Sequence, residues 1–383
     1  MMPSKQNYGD GMRELISSPE NIKKAEDILQ GLGPGKIYIY GAGNAGAMTF
    51  KLLQDAGIEV QAFFDRRAET GGYYCGRPVY KAAEADLSGK SRKESVIIIA
   101  FICDCLELAD VRQRLLELGW EKIYYFHDIY NCLVCGKGGH QEDRKDFINC
   151  ALEKVIKVAE LMEDDESYEV FENFFKAIIS GNPAYFSLPS EKPQYFVDDV
   201  PFNKGYARFI DCGAFDGDTA LALKRYRGEA EALVLFEPDS ENFKSLCANL
   251  KNNRIAKEQV LFPCGVWRNS EMLRFRSGIK SSSGISENGD TFIQCIAIDD
   301  AIADFAPTFV KMDIEGAEYE ALAGAEQTIR RYMPDLAISV YHRIEHLWQV
   351  PLLIESIAPG YKFYLRCHGL HGMETILYAV GGT

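Results

Sequence analysis

Long apolar runs are missing from this chain. The longest, Val96 to Cys103, is about eight residues, whereas a membrane-spanning helix needs about 20, so no membrane span is expected. The opening residues MMPSKQNYGDGM hold no apolar core of the kind a secretory signal carries. With no export route in view, the 11 cysteines are expected as free thiols in a reducing, cytoplasmic setting. An excess of positive charge is missing as well. Forty-two Lys and Arg stand against 56 Asp and Glu, a net charge of −14. Such a chain is repelled by phosphate backbones, which disfavours general nucleic-acid binding but leaves room for a local basic pocket. No sequence repeat is present. What remains is ordinary globular composition, 47% hydrophobic and 26% charged over 383 residues, which excludes disorder, collagen and a repetitive fibre. The length predicts two or three domains at roughly 150 residues each.

Two stretches alternate strand and helix, the pattern of parallel βαβ units. In the first, residues 36–130, the strands are KIYIY, Ile58–Asp65, Ser95–Ala100 and Lys122–Phe126, with helices over Asn44–Ala56 and Asp104–Leu118. An amphipathic helix over residues 10–30 precedes it. Residues 131–200 read as a helical connector, with helices over Phe147–Met162 and Tyr168–Ser180 separated by the acidic break EDDES. The second α/β stretch, residues 201–383, carries about seven strands and ends in a reversed edge strand, with Met272–Arg276 and Thr291–Ala297 as an antiparallel pair. The expected domains are therefore 1–130, 131–200 and 201–383.

The segment Phe209-Ile-Asp211-Cys-Gly213-Ala-Phe-Asp216-Gly217-Asp-Thr219 is the most informative. An apolar strand runs into an acidic residue, a tight turn with two glycines, and a helix start. Gly213 and Gly217 let backbone approach a ligand where a Cβ would block it. Glu237 ends the next strand, LVLFEP, where a carboxylate accepts from a ribose diol. The spacing D-x-G-x-x-x-G departs from the three-glycine dinucleotide pattern. Acidic residues around the turn repel a pyrophosphate but suit a ligand bearing an amino group and a sulfonium, and S-adenosylmethionine fits that description.

FIDCGAFDGDT, LVLFEP, FPCGVW, SSSG, CIAIDD, FVKMDIEGAEYEALAGA, LAISVYH and YKFYLRCH…ETILYAV follow in that order. Together they resemble the FkbM family of S-adenosylmethionine-dependent methyltransferases over about residues 205–380. The resemblance implies a class I methyltransferase sheet, doubly wound with an antiparallel last strand, and O-methylation of a sugar, glycan or natural product. It carries the cofactor contacts onto Asp211, Gly213, Asp216, Gly217, Thr219, Glu237 and Gly265. His346 stands where the family's H-x-x-x-D-L-W pattern has an acid.

Methyl transfer from a sulfonium is an in-line displacement, and a hydroxyl is a poor nucleophile until its proton leaves. His342 follows the strand LAISVY and should emerge at the sheet's carboxyl edge, beside Asp313 and Glu315. A neutral His342 is the expected base, with Asp313 and Glu315 as its catalytic neighbours. No metal set is assigned, although these three side chains also suit Mg²⁺ or Mn²⁺. The serines Ser281, Ser282 and Ser283 read as a flexible loop or substrate lid. Arg366 and His368 are candidates for the acceptor pocket, with a salt-bridged Arg366 the blander reading.

The first glycine turn, Gly41-Ala-Gly43-Asn-Ala-Gly46, follows a strand and opens a helix, and Asp65 ends the next strand. This is a small Rossmann-like unit in which a phosphate sits on the helix N-terminus and Asp65 holds a ribose diol. Tyr38–Gly43, Phe63–Asp65 and Gly76-Arg77-Pro78-Val79 resemble the nucleotide-sugar-binding domain of some sugar acyltransferases, which implies a nucleotide-sugar about as readily as NAD(P). Cys132, Cys135 and His140 have the spacing of three zinc-knuckle ligands, but Lys145 occupies the fourth place, so zinc is not expected.

The leading expectation is an S-adenosylmethionine-dependent O-methyltransferase acting on a small-molecule or carbohydrate acceptor. A non-catalytic nucleotide-binding regulator is the alternative from another class, and an NAD(P)-dependent oxidoreductase is a weaker one. Gly213→Val is expected to abolish cofactor binding in a protein that still folds.

Overall fold

The computed structural model describes residues 5–17, 30–32, 35–66, 68, 72–81, 89–101, 105–126, 128–129, 150–180, 183–251, 253–276, 284–285, 289 and 291–382. The serines 281–283 and the Cys132–Cys135–His140 cluster lie outside them. The chain divides into two compact units. One comprises Gly9–Ile156 and Glu172–Leu188, the other Met1–Tyr8, Lys157–Phe171 and Pro189–Thr383. The stretch 131–200 is shared between them, its helices spanning Leu152–Leu161 and Asp165–Ser180. Among the described residues, no helix is long and apolar enough to cross a membrane.

The Gly9–Ile156 unit is built on six strands: β1 (Ile37–Tyr40), β2 (Val60–Phe64), β3 (Gly72–Tyr74), β4 (Arg77–Tyr80), β5 (Val96–Ile99) and β6 (Lys122–Tyr125). Their order is β3-β4-β2-β1-β5-β6, and every pairing is parallel except β3 with β4. β1 and β5 are buried along their whole length, which is why they read as continuous apolar runs rather than alternating ones.

The C-terminal unit holds the larger sheet. Its strands are β7 (Arg208–Cys212), β8 (Ala230–Phe236), β9 (Ala256–Phe262), β14 (Phe309–Met312), β15 (Asp335–Ser339), β16 (Lys362–Cys367) and β17 (Thr375–Val380). The order is β16-β17-β15-β14-β7-β8-β9. This is the α/β doubly wound sheet expected of a class I methyltransferase, with a reversed last strand. The reversed strand is not at the edge, however. β17 inserts between β15 and β16 and runs antiparallel to both. A two-sided apolar strand such as ILYAV is buried throughout, and an edge position would leave one row of its backbone groups unpaired.

A second sheet of β10 (Gly265–Val266), β11 (Glu271–Arg276), β12 (Gly284–Ile285) and β13 (Thr291–Ile296) lies in the same unit, in the order β10-β13-β11-β12. β11 and β13 form the antiparallel pair expected from the sequence. Phe209 and Phe309 face each other in register across β7 and β14, their rings stacked at 5.2 Å. They anchor a core that also takes Leu223, Leu246 and Leu250 from the flanking helices.

The chain reaches β9 on one side of β7 and returns as β14 on the other. The strand order therefore reverses between β7 and β14, and in open α/β sheets ligands bind in the crevice at that point, beyond the carboxyl ends of the strands.

Candidate active site

A cavity of about 250 Å³ opens at that crevice. Gly213 and Phe215 follow β7, Glu237 and Pro238 follow β8, and Asp313, Ile314 and Glu315 follow β14, and all of them line it. The small sheet contributes an apolar wall of Val266, Phe275, Ile285 and Ile293. Local geometry dictates these placements. Gly213 has φ +85° and Gly217 has φ +92°, values that L side chains avoid.

The expected cofactor residues divide by position. Gly213, Thr219, Glu237 and Gly265 line the cavity, together with Asp218, which sequence reasoning passed over. Asp211, Asp216 and Gly217 are not among the lining residues. Asp211 is fully buried and lies 3.0 Å from Lys311 Nζ. Burial raises its carboxyl to about 6 while Lys311 pulls it down, so the pair is ionised at neutral pH. Lys311 also donates to the Gly213 carbonyl at 2.7 Å, and this pair braces the turn from below. Asp216 lends its carbonyl oxygen to Asn249 at 2.8 Å. Gly217 faces Leu246 and Leu250, so a side chain there meets the neighbouring helix.

Glu237 is held by its backbone surroundings. The amides of Phe215 and Asp239 donate to its two carboxylate oxygens at 2.9 and 2.8 Å. Burial nevertheless outweighs these bonds and pushes its carboxyl up to about 7.

At the other end of the cavity, acids crowd together. Glu374 accepts from Gln194 at 2.6 Å and from the Tyr341 hydroxyl at 3.2 Å. The Tyr195 hydroxyl donates to Asp313 Oδ2 at 2.9 Å. Gln194, Tyr195 and Glu374 all line the cavity; no motif holds the first two, and Glu374 opens the ETILYAV motif without having been assigned a role. Glu315 sits at φ +57°. Burial raises its carboxyl to about 7, with His342 opposing and Asp313, Glu318 and Glu374 adding to the rise.

His342 stands at the carboxyl edge as expected, but its protonation differs from the expectation. Its Nδ1 lies 2.9 Å from Glu318 Oε1, and its Nε2 lies 3.6 Å from Asp313 Oδ1 and 3.7 Å from Glu315 Oε2. Burial opposes charge on the ring, yet the three carboxylates win and raise it to about 9. The carboxylates thus favour the charged form of the ring, a direction opposite to that of the neutral base expected from the sequence. Glu318, which lies within the FVKMDIEGAEYEALAGA motif but was assigned no role from the sequence, is the centre of this arrangement. It is fully buried and both histidines hold its carboxyl far below the usual range. His346 fills the place of the expected acid and puts its Nδ1 3.2 Å from Glu318 Oε2. Ligand-type atoms of Asp313, Glu318 and His342 lie within 4.8 Å of one another.

The remaining candidates sit elsewhere. Arg366 is buried in ion pairs with Asp164 at 2.7 Å and Asp199 at 2.8 Å, the structural role rather than a pocket role. Nε2 of His368 is 2.9 Å from the Tyr378 hydroxyl, and burial lowers its pKa to about 4.

Residues 211–364 match the model of the methyltransferase FkbM domain. The chain carries an FkbM methyltransferase domain. Its fold is similar to that of the crystal structure of methyltransferase FkbM from Methylobacillus flagellatus KT, with a TM-score of 0.76 and 24% identity over 97% of this chain and 98% of that one. A precorrin-6y C5,15-methyltransferase from Geobacter metallireducens GS-15 aligns over 50% of this chain and 100% of its own, at a TM-score of 0.31 and 10% identity. No curated protein sequence matches the chain. The methyltransferase domain begins within β7, so Gln194 and Tyr195 reach its cavity from before the matched residues and Glu374 from after them.

In the other unit the glycine turn also closes on itself. Asp65 Oδ2 accepts from the Ala42 amide at 2.9 Å, and Tyr74 donates to the Gly43 carbonyl at 3.0 Å. A Cβ on Gly46 would collide with the Gly41 carbonyl, and one on Gly41 (φ +123°) would stand 2.5 Å from the Ala100 carbonyl, whereas Gly43 faces open space. A cavity of about 300 Å³ in this unit is lined by Tyr40, Arg66, Lys81, Arg114 and apolar residues, and not by Gly41, Gly43, Gly46 or Asp65.

Proposed function

We propose that the protein is an S-adenosylmethionine-dependent methyltransferase that methylates a hydroxyl oxygen of a sugar, glycan or natural-product acceptor. The observation that carries this reading is the charge lining of one cavity. Asp218, Glu237, Asp313, Glu315 and Glu374 face it, and among the described lining residues Lys311 is the single cation, tied to Asp211 and the Gly213 carbonyl. Such a wall repels phosphates and favours a sulfonium and an ammonium. Glu237, held at the end of the strand beside the glycine turn, is the partner for the ribose diol. The apolar wall of Val266, Ile285 and Ile293 suits the adenine.

In the reaction so proposed, the acceptor oxygen attacks the methyl carbon in line with the departing sulfur. The C–O bond forms as the C–S bond breaks, and the sulfonium leaves as a neutral thioether. The hydroxyl proton passes to a carboxylate at the Asp313–Glu315 end of the cavity. Glu315 is a stronger candidate than His342 because it lines the cavity and His342 is not among the lining residues. Calorimetric titration with S-adenosylmethionine tests the cofactor. Conversion of labelled cofactor to a methylated hydroxyl product, over a panel of sugars and natural products, tests the reaction. Failure to bind the cofactor overturns the reading. Binding without turnover over the whole panel favours the regulatory alternative.

The glycine turn of the other unit, with Gly41, Gly43, Gly46 and Asp65, is retained only as a proposed second nucleotide site. The open space at Gly43 supports it and the engagement of Asp65 with the turn weighs against it.

A further inference from the structure

Three elements bring ligand-type atoms together behind the acceptor end of the cavity. Asp313 and Glu315 leave β14, His342 leaves β15, and Glu318 opens the helix Glu318–Ala323. The His342 side chain is 8% exposed, and its Nε2 makes no hydrogen bond. It is aimed between Asp313 Oδ1 at 3.6 Å and Glu315 Oε2 at 3.7 Å. Asp313 Oδ1 is likewise buried without a hydrogen-bond partner. These separations are too long for hydrogen bonds. They leave room for one ion between a nitrogen and two oxygens, which would draw in by roughly half an ångström to the ~3.0 Å spacing of neighbouring ligands around an octahedral ion. The far side of the ring is already fixed, because Nδ1 faces Glu318 Oε1 at 2.9 Å.

We propose that His342 Nε2, Asp313 Oδ1 and Glu315 Oε2 bind a divalent cation of the Mn²⁺ or Mg²⁺ class, with Glu318 as the buried carboxylate that orients the imidazole. A histidine ligand characteristically gives its other ring N–H to a carboxylate, which fixes the tautomer and strengthens the ligand. One imidazole and two carboxylates form an oxygen-rich set that suits such ions. The cation takes the place of the proton on His342 and neutralises charge where Asp313, Glu315, Glu318 and Glu374 crowd together. Tyr195 holds the second oxygen of Asp313, which leaves Oδ1 as the ligating atom. This deepens the proposed methyl transfer and rests on that reading only for its role. A cation here would lower the pKa of a bound acceptor hydroxyl, whose proton would then leave to solvent water with Glu315 held as a ligand, in place of direct transfer to Glu315.

The test uses the full chain, stripped with chelator, and Mn²⁺ alone as the probe, followed by electron paramagnetic resonance and calorimetry. One Mn²⁺ per chain is expected. Asp313→Asn and His342→Ala should each weaken it more than about 100-fold. Glu318→Gln should weaken it about 10–100-fold. Circular dichroism and the thermal-unfolding midpoint of each variant serve as the folding control, because Asp313 itself lines the proposed cofactor cavity. No Mn²⁺ binding tighter than about 1 mM, or binding unchanged in both Asp313→Asn and His342→Ala, overturns the site. Mn²⁺ binding to a protein that never binds S-adenosylmethionine keeps the site and overturns the methyltransferase chemistry instead.

Discussion

Glu318 and His342 meet at 2.9 Å inside the methyltransferase domain, with His346 on the other oxygen of the same carboxylate at 3.2 Å. A buried carboxylate between two imidazoles is a commitment. Removing its charge strands the cationic His342 among groups arranged to receive it. Glu318→Gln should therefore lower stability by about 3–5 kcal/mol, read as a fall in the midpoint of denaturant unfolding. A change below about 1 kcal/mol would show that the histidines are held by packing alone.

Gly213 limits what can be learned from its own substitution. A Cβ there collides with the Asp313 carbonyl oxygen, and φ is +85°. Gly213→Val is consequently expected to destabilise the fold by at least about 2 kcal/mol, not merely to block the cofactor as the sequence alone suggested. Circular dichroism and thermal unfolding check this. A Gly213→Val protein with wild-type melting would refute the close approach.

Glu237 gives the pH prediction. Burial pushes its folded carboxyl up to about 7 from an ordinary value of 4.5. The unfolded chain releases the proton first, so this group's contribution to stability falls as pH rises from about 4.5 to about 7. Cofactor affinity runs the other way. A ribose diol donates to the carboxylate form, so binding should tighten as pH rises through 7. Calorimetry at about pH 6 and about pH 8 reads this slope. Glu237→Ala should flatten it and cost about 1.5–3 kcal/mol of binding free energy. An equal affinity at both pH values would remove Glu237 from the cofactor site.

Glu315→Gln should lower turnover by about 10²–10⁴-fold while cofactor affinity stays within a few-fold of wild type. The carboxamide keeps the shape of the side chain at φ +57° but neither takes a proton nor ligates as a carboxylate does. Single-turnover kinetics with a working acceptor would decide it, and a wild-type rate would exclude Glu315 from the chemistry.

Arg366→Met tests a structural role. The guanidinium is buried between Asp164, Glu166 and Asp199. Its loss leaves Asp164 without its cation while Lys192 still faces Asp199 at 3.0 Å, at a cost of about 3 kcal/mol, the low end for breaking a buried pair. At temperatures where the variant remains folded, cofactor titration should match the parent, because Arg366 does not line the cavity.

The sequence by itself determined the features that depend on neighbours in the chain. Apolar strands ending in glycine turns, and Glu237, Asp313 and His342 placed just past strand ends, follow from short-range patterning and from the positive φ that only glycine adopts freely. The order of those motifs was enough to name the FkbM resemblance. Only the tertiary structure decided what depends on distant segments meeting. The insertion of β17 between β15 and β16 is a choice of strand partner, which local patterning does not encode. Gln194 and Tyr195 reach the cavity from outside the methyltransferase motifs, and Glu374 opens the ETILYAV motif without any spacing rule that assigned it a role. The charge state of His342 is also a tertiary property. A strand-end histidine looks neutral in sequence, and its pKa is raised because Glu318, Asp313 and Glu315 converge on it in a buried place, where charges act on one another far more strongly than in water.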